Sequence, residues 1–222
     1  MTSGELTVGL IGGTGPEGRG LALRFAQAGL AVRIGSRRAE RAEQAANDVR
    51  AALPAAEVGG HLNAAAVAGC DLVVVVVPYD GHAATLTDLR DAIGEKIVID
   101  TVVPLSFSDG VPGTVAVAEG SATQQAQALL PAARVVGAFH NLSAQKLQDL
   151  DAPMQGDVLV TGDDAEAKAA VIDLVARIPD LRPIDAGPLA MSKLVEDLTA
   201  LILSVNRRYR AHAAVRMLGV EP

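Results

Sequence analysis

The sequence predicts an α/β protein: a doubly wound, mostly parallel sheet with a smaller, helix-rich C-terminal domain. Three observations carry that expectation. Short β-branched runs alternate with alanine-rich stretches of helical period. The run "LVVVVV" at 72–77 is apolar at every position, as in a strand covered by helices on both faces, rather than at alternate positions. The first run also ends in a glycine-crowded join, "GLIGGTGPEGRG", that leads straight into a helical pattern.

Taken in order, the strand signals are "LTVGLIG" (6–12), "AVRIGS" (31–36), "DLVVVVV" (71–77), "KIVID" (96–100), "RVVGAF" (134–139), "DVLVTG" (157–162) and "LRPIDA" (181–186). Between them the helical period places helices near 17–28, 38–52, 80–93, 121–130 and 164–177, with a long last helix near 188–216. Residues 101–120, punctuated by proline and glycine, are expected to form a loop without regular structure. Strands thin out after about residue 140, which divides the chain into a larger unit, 1–140, and a smaller one, 141–222.

Composition removes several function classes. The longest unbroken apolar run is far shorter than the roughly 20 residues that span a bilayer, so a soluble protein with no membrane partner is expected. The opening "MTSGELTVGL" has no basic region followed by an apolar block, and the single cysteine, Cys70, suits a reducing cytoplasm. A net charge of −7, with three Phe, two Tyr and no Trp, argues against a nucleic-acid partner. His61, His82, His140 and His212 lack Cys or His neighbours at ligand spacing, so no metal site is expected.

Gly13-Thr14-Gly15-Pro16-Glu17-Gly18 matches G-x-G-x-x-G between a strand and a helix, the dinucleotide-binding arrangement of a Rossmann-type sheet. The motif needs glycines for a tight turn, for close approach of a diphosphate, and for close packing of helix on strand, while free N–H groups at the helix start face the anion. No Lys-Ser or Lys-Thr follows, which removes the P-loop alternative. At the end of the second strand an NAD site would carry Asp or Glu; this chain reads "IGSRRAER". Ser36 is followed by Arg37, Arg38 and Arg41, which place cations at a helix start, where they oppose the macrodipole and call for an anion such as the 2′-phosphate of NADP(H). The alternative is a solvated basic helix start.

The third strand ends at Val77-Pro78 and the fourth at Asp100, leading on to Val103. Ligands in open α/β sheets lie beyond the carboxyl ends of the strands, so Val77, Pro78 and Val103 are expected along the path to the nicotinamide, although a proline also simply stops a strand. Asp100 reads as a loop or helix cap or as an acid, Cys70 as packing, and His140, after the fifth strand, as the histidine best placed for a reaction centre. No His, Lys or Tyr with an orienting partner stands out as a carbonyl acid–base pair; Lys193 is the one candidate. Direct hydride transfer between two cofactors would need no such pair.

The segments "GLIGGTGPEGRGLALRFAQAG", "IGSRRAERA", "VVVPYDGH", "AFHNLSA" and above all "LRPIDAGPLAMSKLVEDLTALILSVNRRY" resemble the NADPH-dependent coenzyme F420 oxidoreductases from residue 7 to about 210. The resemblance implies hydride transfer between NADP(H) and a diffusible deazaflavin, coenzyme F420. It implies Thr14 by the phosphates, Ser36, Arg37, Arg38 and Arg41 on the 2′-phosphate, and His140 and Leu142 at the deazaflavin. It also implies a homodimer formed through the C-terminal domain. Asn141 and Ser143 depart from the "LHTIPA" expected there. Two other readings stand beside it: an NADPH-dependent imine or carbonyl reductase needing Lys193, and a non-catalytic NADP-binding redox sensor.

Overall fold

The computed structural model describes residues 6–220; residues 1–5, at the start of the segment read for an export signal, lie outside the described residues. In chain order the elements are β1 (Thr7–Ile11), α1 (Pro16–Gln27), β2 (Ala31–Ser36), α2 (Ala39–Ala52), β3 (Val58–Leu62), α3 (Asn63–Ala68), β4 (Leu72–Val75) and α4 (Tyr79–Ile93). There follow β5 (Ile97–Asp100), β6 (Leu105–Ser108), β7 (Val111–Thr114), α5 (Ala122–Leu129), β8 (Arg134–Gly137) and α6 (Ala144–Gln148). The chain continues with β9 (Gly156–Gly162), α7 (Ala165–Ala176), β10 (Leu181–Asp185), a short 3-10 turn at Leu189–Met191 and α8 (Ser192–Tyr209).

Eight strands form one sheet in the order β10-β9-β8-β5-β4-β1-β2-β3. The six from β8 to β3 run parallel, β9 is antiparallel to β8, and β10 is parallel to β9. This is the expected doubly wound plan. The last two strands extend the same sheet, and their side chains Val158 and Val160 share a core with Val8, Leu10, Phe25 and Val74. In β4, Leu72 and Val74 enter that core while Val73 and Val75 enter the one on the opposite face. Helices cover both faces, so the continuous apolar run has a physical cause.

Besides two short helices that were not expected, α3 and α6, the structure departs from the expected elements at β3, at the β6–β7 hairpin and at the end of α8. The segment "VGGHL" forms β3, pairing with β2 from Val32↔Val58 to Ser36↔Leu62; two glycines and a histidine had hidden its strand character. The segment 101–120 is not all irregular, because β6 and β7 make an antiparallel hairpin within it. The last helix stops at Tyr209 rather than near 216. Arg210 takes a left-handed conformation (φ 51°), and the chain beyond it turns back along β9, where Asp157 N–H donates to Val215 O at 2.8 Å.

Candidate active site

β1 lies between β2 and β4, and the chain runs outward in opposite directions from that point, which opens a crevice at the carboxyl ends of the strands. The turn leaving β1 fills its base. Gly12 adopts φ 73°, and a Cβ there would lie 2.5 Å from Val77 Cγ1. A Cβ on Gly18 would lie 2.5 Å from Gly13 Cα, whereas one on Gly15 would meet nothing within 4 Å. The three motif glycines therefore differ: Gly13 and Gly18 close the turn against the helix, and Gly15 fronts open space where an anion can reach the backbone. α1 starts with Pro16 in its first turn, which suits a helix start whose N–H groups stay free. Thr14 O accepts from Arg19 Nε at 3.1 Å, fixing the loop to the helix it precedes.

At the end of β2, Ser36 is buried and its Oγ accepts from Arg38 N–H at 3.2 Å. Arg37, Arg38 and Arg41 are exposed at the start of α2, and none forms an ion pair among the described residues, Glu40 included. Asn63, at the start of α3, was not foreseen: its Oδ1 accepts from Gly12 N–H at 3.3 Å, and it joins the cleft lining. A single asparagine outside any motif gives no sequence signal for that role.

The cleft has a volume of about 1330 Å³. It brings together Thr14, Gly15, Pro16, Glu17, Gly18, Ser36, Arg37, Arg38, Arg41, Val77, Pro78, Val103, His140 and Leu142. Gly13 is buried beneath the turn and does not line it. α8 supplies a wall the sequence had not indicated, through Thr199, Ile202 and Leu203, and the returning tail adds Ala211, His212 and Ala213. Burial pushes the Glu17 carboxyl up to about 8, which favours its neutral form near neutral pH.

His140 is buried in the loop after β8, whose preceding residue, Phe139, holds φ 66°. Burial pulls its imidazole down to about 4, so the ring is neutral at ordinary pH. Its carbonyl accepts from Thr199 Oγ1 at 3.0 Å. Asp100 sits under the same region, with its Oδ2 2.7 Å from His82 Nε2 and its Oδ1 accepting from Val102 N–H at 2.8 Å. Burial lowers the His82 pKa, but Asp100, with Gln125 and Glu196, more than offsets that, so the net shift is upward. Asp100 is thus committed to a buried pair and to holding the loop that carries Val103. Lys193 is paired with Asp197 and lies outside the cleft lining.

The segment "LVEDLT" on α8 works through three polar side chains. Glu196 receives the first N–H groups of α5, Asp197 receives Thr114 on β7, and Thr199 holds the His140 carbonyl. Among the described residues no helix is long and apolar enough to cross a membrane, and no cluster of His, Cys, Asp and Glu could hold a metal ion.

Residues 7–104 match the family model for NADP oxidoreductase, coenzyme F420-dependent. The chain is 35% identical to the F420-dependent NADP reductase of Methanocaldococcus jannaschii, over 97% of this chain and 100% of that one. It is 37% identical to the enzyme of the same name from Methanothermobacter thermautotrophicus, over 97% of this chain and 96% of that one. Among solved structures, a putative F420-dependent NADP reductase from Arthrobacter sp. FB24 superposes with a TM-score of 0.82 at 27% identity, over 98% of this chain and 100% of that one. A reductive aminase from Aspergillus terreus, at 19% identity and a TM-score of 0.62, shares the fold. With full-length relatives at this identity, and with a strand-end cleft built on the glycine turn and the arginine cluster, the chain belongs to the F420-dependent NADP reductase family.

Proposed function

We propose that the protein is an NADP(H):coenzyme F420 oxidoreductase in which hydride passes directly between the two coenzymes, F420 acting as a diffusible co-substrate. One observation carries this reading: a cleft of about 1330 Å³ has, among the described residues, unpaired arginines at one end and apolar side chains at the other. That exceeds the roughly 300–1,000 Å³ of an ordinary small-ligand pocket, so two ring systems have room. The residues present suit both groups. Arg37, Arg38 and Arg41 have no acidic partner among the described residues, and the open face of Gly15 admits a diphosphate. Val77, Pro78, Val103 and Leu142 offer apolar surface for flat rings.

When bound, the reduced deazaflavin supplies a hydride from its C5 to C4 of the NADP⁺ nicotinamide and releases one proton, and the reverse reaction consumes that proton. The chain's own contribution is to hold, orient and exclude water. The arginines select the 2′-phosphate, the α1 N-terminus receives the diphosphate, and protonated Glu17 does not repel it. The apolar walls keep water from the ring faces. A neutral His140 and a paired Lys193 leave no charged acid at the reaction end, so the reading that needs Lys193 as a proton donor finds no support in the geometry. In this reading residues 1–140 hold NADP(H), and residues 141–222 close the deazaflavin side and make a homodimer contact through α8. The setting is cytoplasmic.

Mixing the purified protein with NADPH and oxidised F420 tests the reading. Both absorbance bands should decay together, one to one. Tight NADPH binding with no exchange would exclude it.

A further inference from the structure

Behind the cleft floor, a chain of three buried side chains joins α8, α5 and the loop after β8. Glu196 is fully buried at the start of α5. Its Oε2 accepts from Ala122 N–H, and its Oε1 from both Thr123 N–H and the Thr123 hydroxyl, each at 3.1 Å. Thr123 Oγ1 also stands 3.3 Å from His140 Nε2, while His140 Nδ1 is buried without a hydrogen-bond partner among the described residues.

A hydroxyl carries one proton. Spent on an ionised carboxylate, which has none to give, it leaves Oγ1 with lone pairs alone facing His140, so Nε2 must be the protonated nitrogen. The opposite tautomer would set two lone pairs against each other and strand Nδ1–H in the interior, and orphaned buried N–H groups are rarer than under-used acceptors. The N-terminal amides and partial positive charge of α5 favour the ionised carboxylate that orders this chain.

We propose that Glu196, acting through Thr123, is the positioning residue that sets the tautomer of His140, holding Nε2–H and leaving Nδ1 a bare acceptor. The charged groups facing this network are Asp100 on β5 and His82 on α4, and they are bonded to each other. Fixed in this way, the ring ties the loop carrying Asn141 and Leu142 to α5, while Thr199 ties the His140 carbonyl to α8. At neutral pH the tautomer, not the charge, is therefore what this histidine can vary. Its effect on turnover rests on the hydride-transfer reading; the tautomer itself does not.

Long-range proton–nitrogen NMR of the isotope-labelled full chain at about pH 8.5, above the value of about 7 to which burial pushes Glu196, reads the tautomer directly. His140→Gln assigns the signal. The wild type and Thr123→Ser should show Nε2–H. Glu196→Gln should weaken the Nε2–H preference, because its NH2 must face either Ala122 N–H or the Thr123 donors and the acceptor that orients the Thr123 hydroxyl loses its charge. Thr123→Val, close in shape, should lose the preference even if Glu196→Gln does not fold. Nδ1–H in the wild type, or an unchanged tautomer in Thr123→Val, overturns the proposal. In turnover, Thr123→Val should lower kcat roughly threefold to tenfold with an unchanged KM for NADPH, and Thr123→Ser should restore it. A wild type that fails to exchange hydride would remove the functional reading and leave the NMR result standing.

Discussion

Gly15 and Gly18 are the same residue type three positions apart, and the structure gives them different duties. A Cβ on Gly18 collides with the Gly13 backbone, which cannot move aside, whereas a Cβ on Gly15 enters empty space. Gly18→Ala should therefore lower Tm by several degrees, on the order of 1–3 kcal/mol of strain. Gly15→Ala should leave Tm nearly unchanged and weaken NADPH binding instead; thermal melts with and without NADPH separate the two effects. Charge-assisted bonds contribute about 1.5–3 kcal/mol each, so Arg37→Ala or Arg41→Ala should raise KM for NADPH roughly 10- to 100-fold and that for NADH far less. Equal effects on both coenzymes would return the cluster to a solvated helix start. These residues were legible in the sequence because a motif fixes their spacing. Asn63 and Glu196 were not, since their roles come from a carboxamide and a carboxylate meeting backbone N–H groups 51 and 73 residues away in the chain.

At the scale of elements, the parallel strands could be read because burial on both faces leaves continuous apolar runs. β3 could not, because its glycines carry no such mark. Nor could the end of α8 be read, for the apolar and basic residues beyond Tyr209 continue a helical composition while making different contacts. Buried Asp157 on β9 decides where they go. Its carboxylate takes Arg182 Nε and Nη2 at 2.8 Å each and Met217 N–H at 2.5 Å, and Arg182 also donates to Val220 O at 2.7 Å. The Arg182 guanidinium and the Met217 amide hold this carboxyl below its ordinary value of 3.8 against the opposing effect of burial. A depressed carboxyl stabilises the folded state fully above the unfolded value, and that stability fades as pH falls through the lower folded one. The tail should thus stay anchored above about pH 4 and loosen in stronger acid. Arg182→Ala, which leaves the Asp157 carboxylate short of donors, should release residues 211–218 at neutral pH. Hydrogen exchange along Ala213–Met217 reads the release, and unchanged protection in Arg182→Ala would assign the tail to other contacts.

For the whole molecule, the decisive feature is that α8 has two apolar sides. Its inner side buries Val195 and Ala200 and sends Thr199, Ile202 and Leu203 to the cleft. Its outer side leaves Met191, beside the helix start, with Leu194, Leu201 and Val205 exposed, at spacings that put them in one stripe. The β6–β7 hairpin packed against α8 adds Phe107 and Val111, each more than 60% exposed. We propose that these apolar side chains dock on a second copy of the same stripe, related by a two-fold axis. The wild-type chain should accordingly run at twice its own mass in light scattering. Leu194→Glu combined with Leu201→Glu should run as a monomer, since each buried leucine contributes about 1.5–3 kcal/mol at such a contact and two opposed carboxylates add repulsion. NADPH affinity should survive this change, because the glycine turn and the arginines lie on other elements. Exchange with F420 should fall, because the helix that walls the cleft loses its outer support. A double variant that keeps the dimer mass would place the contact elsewhere, and one that becomes monomeric with unchanged turnover would show that the cleft wall stands without a partner.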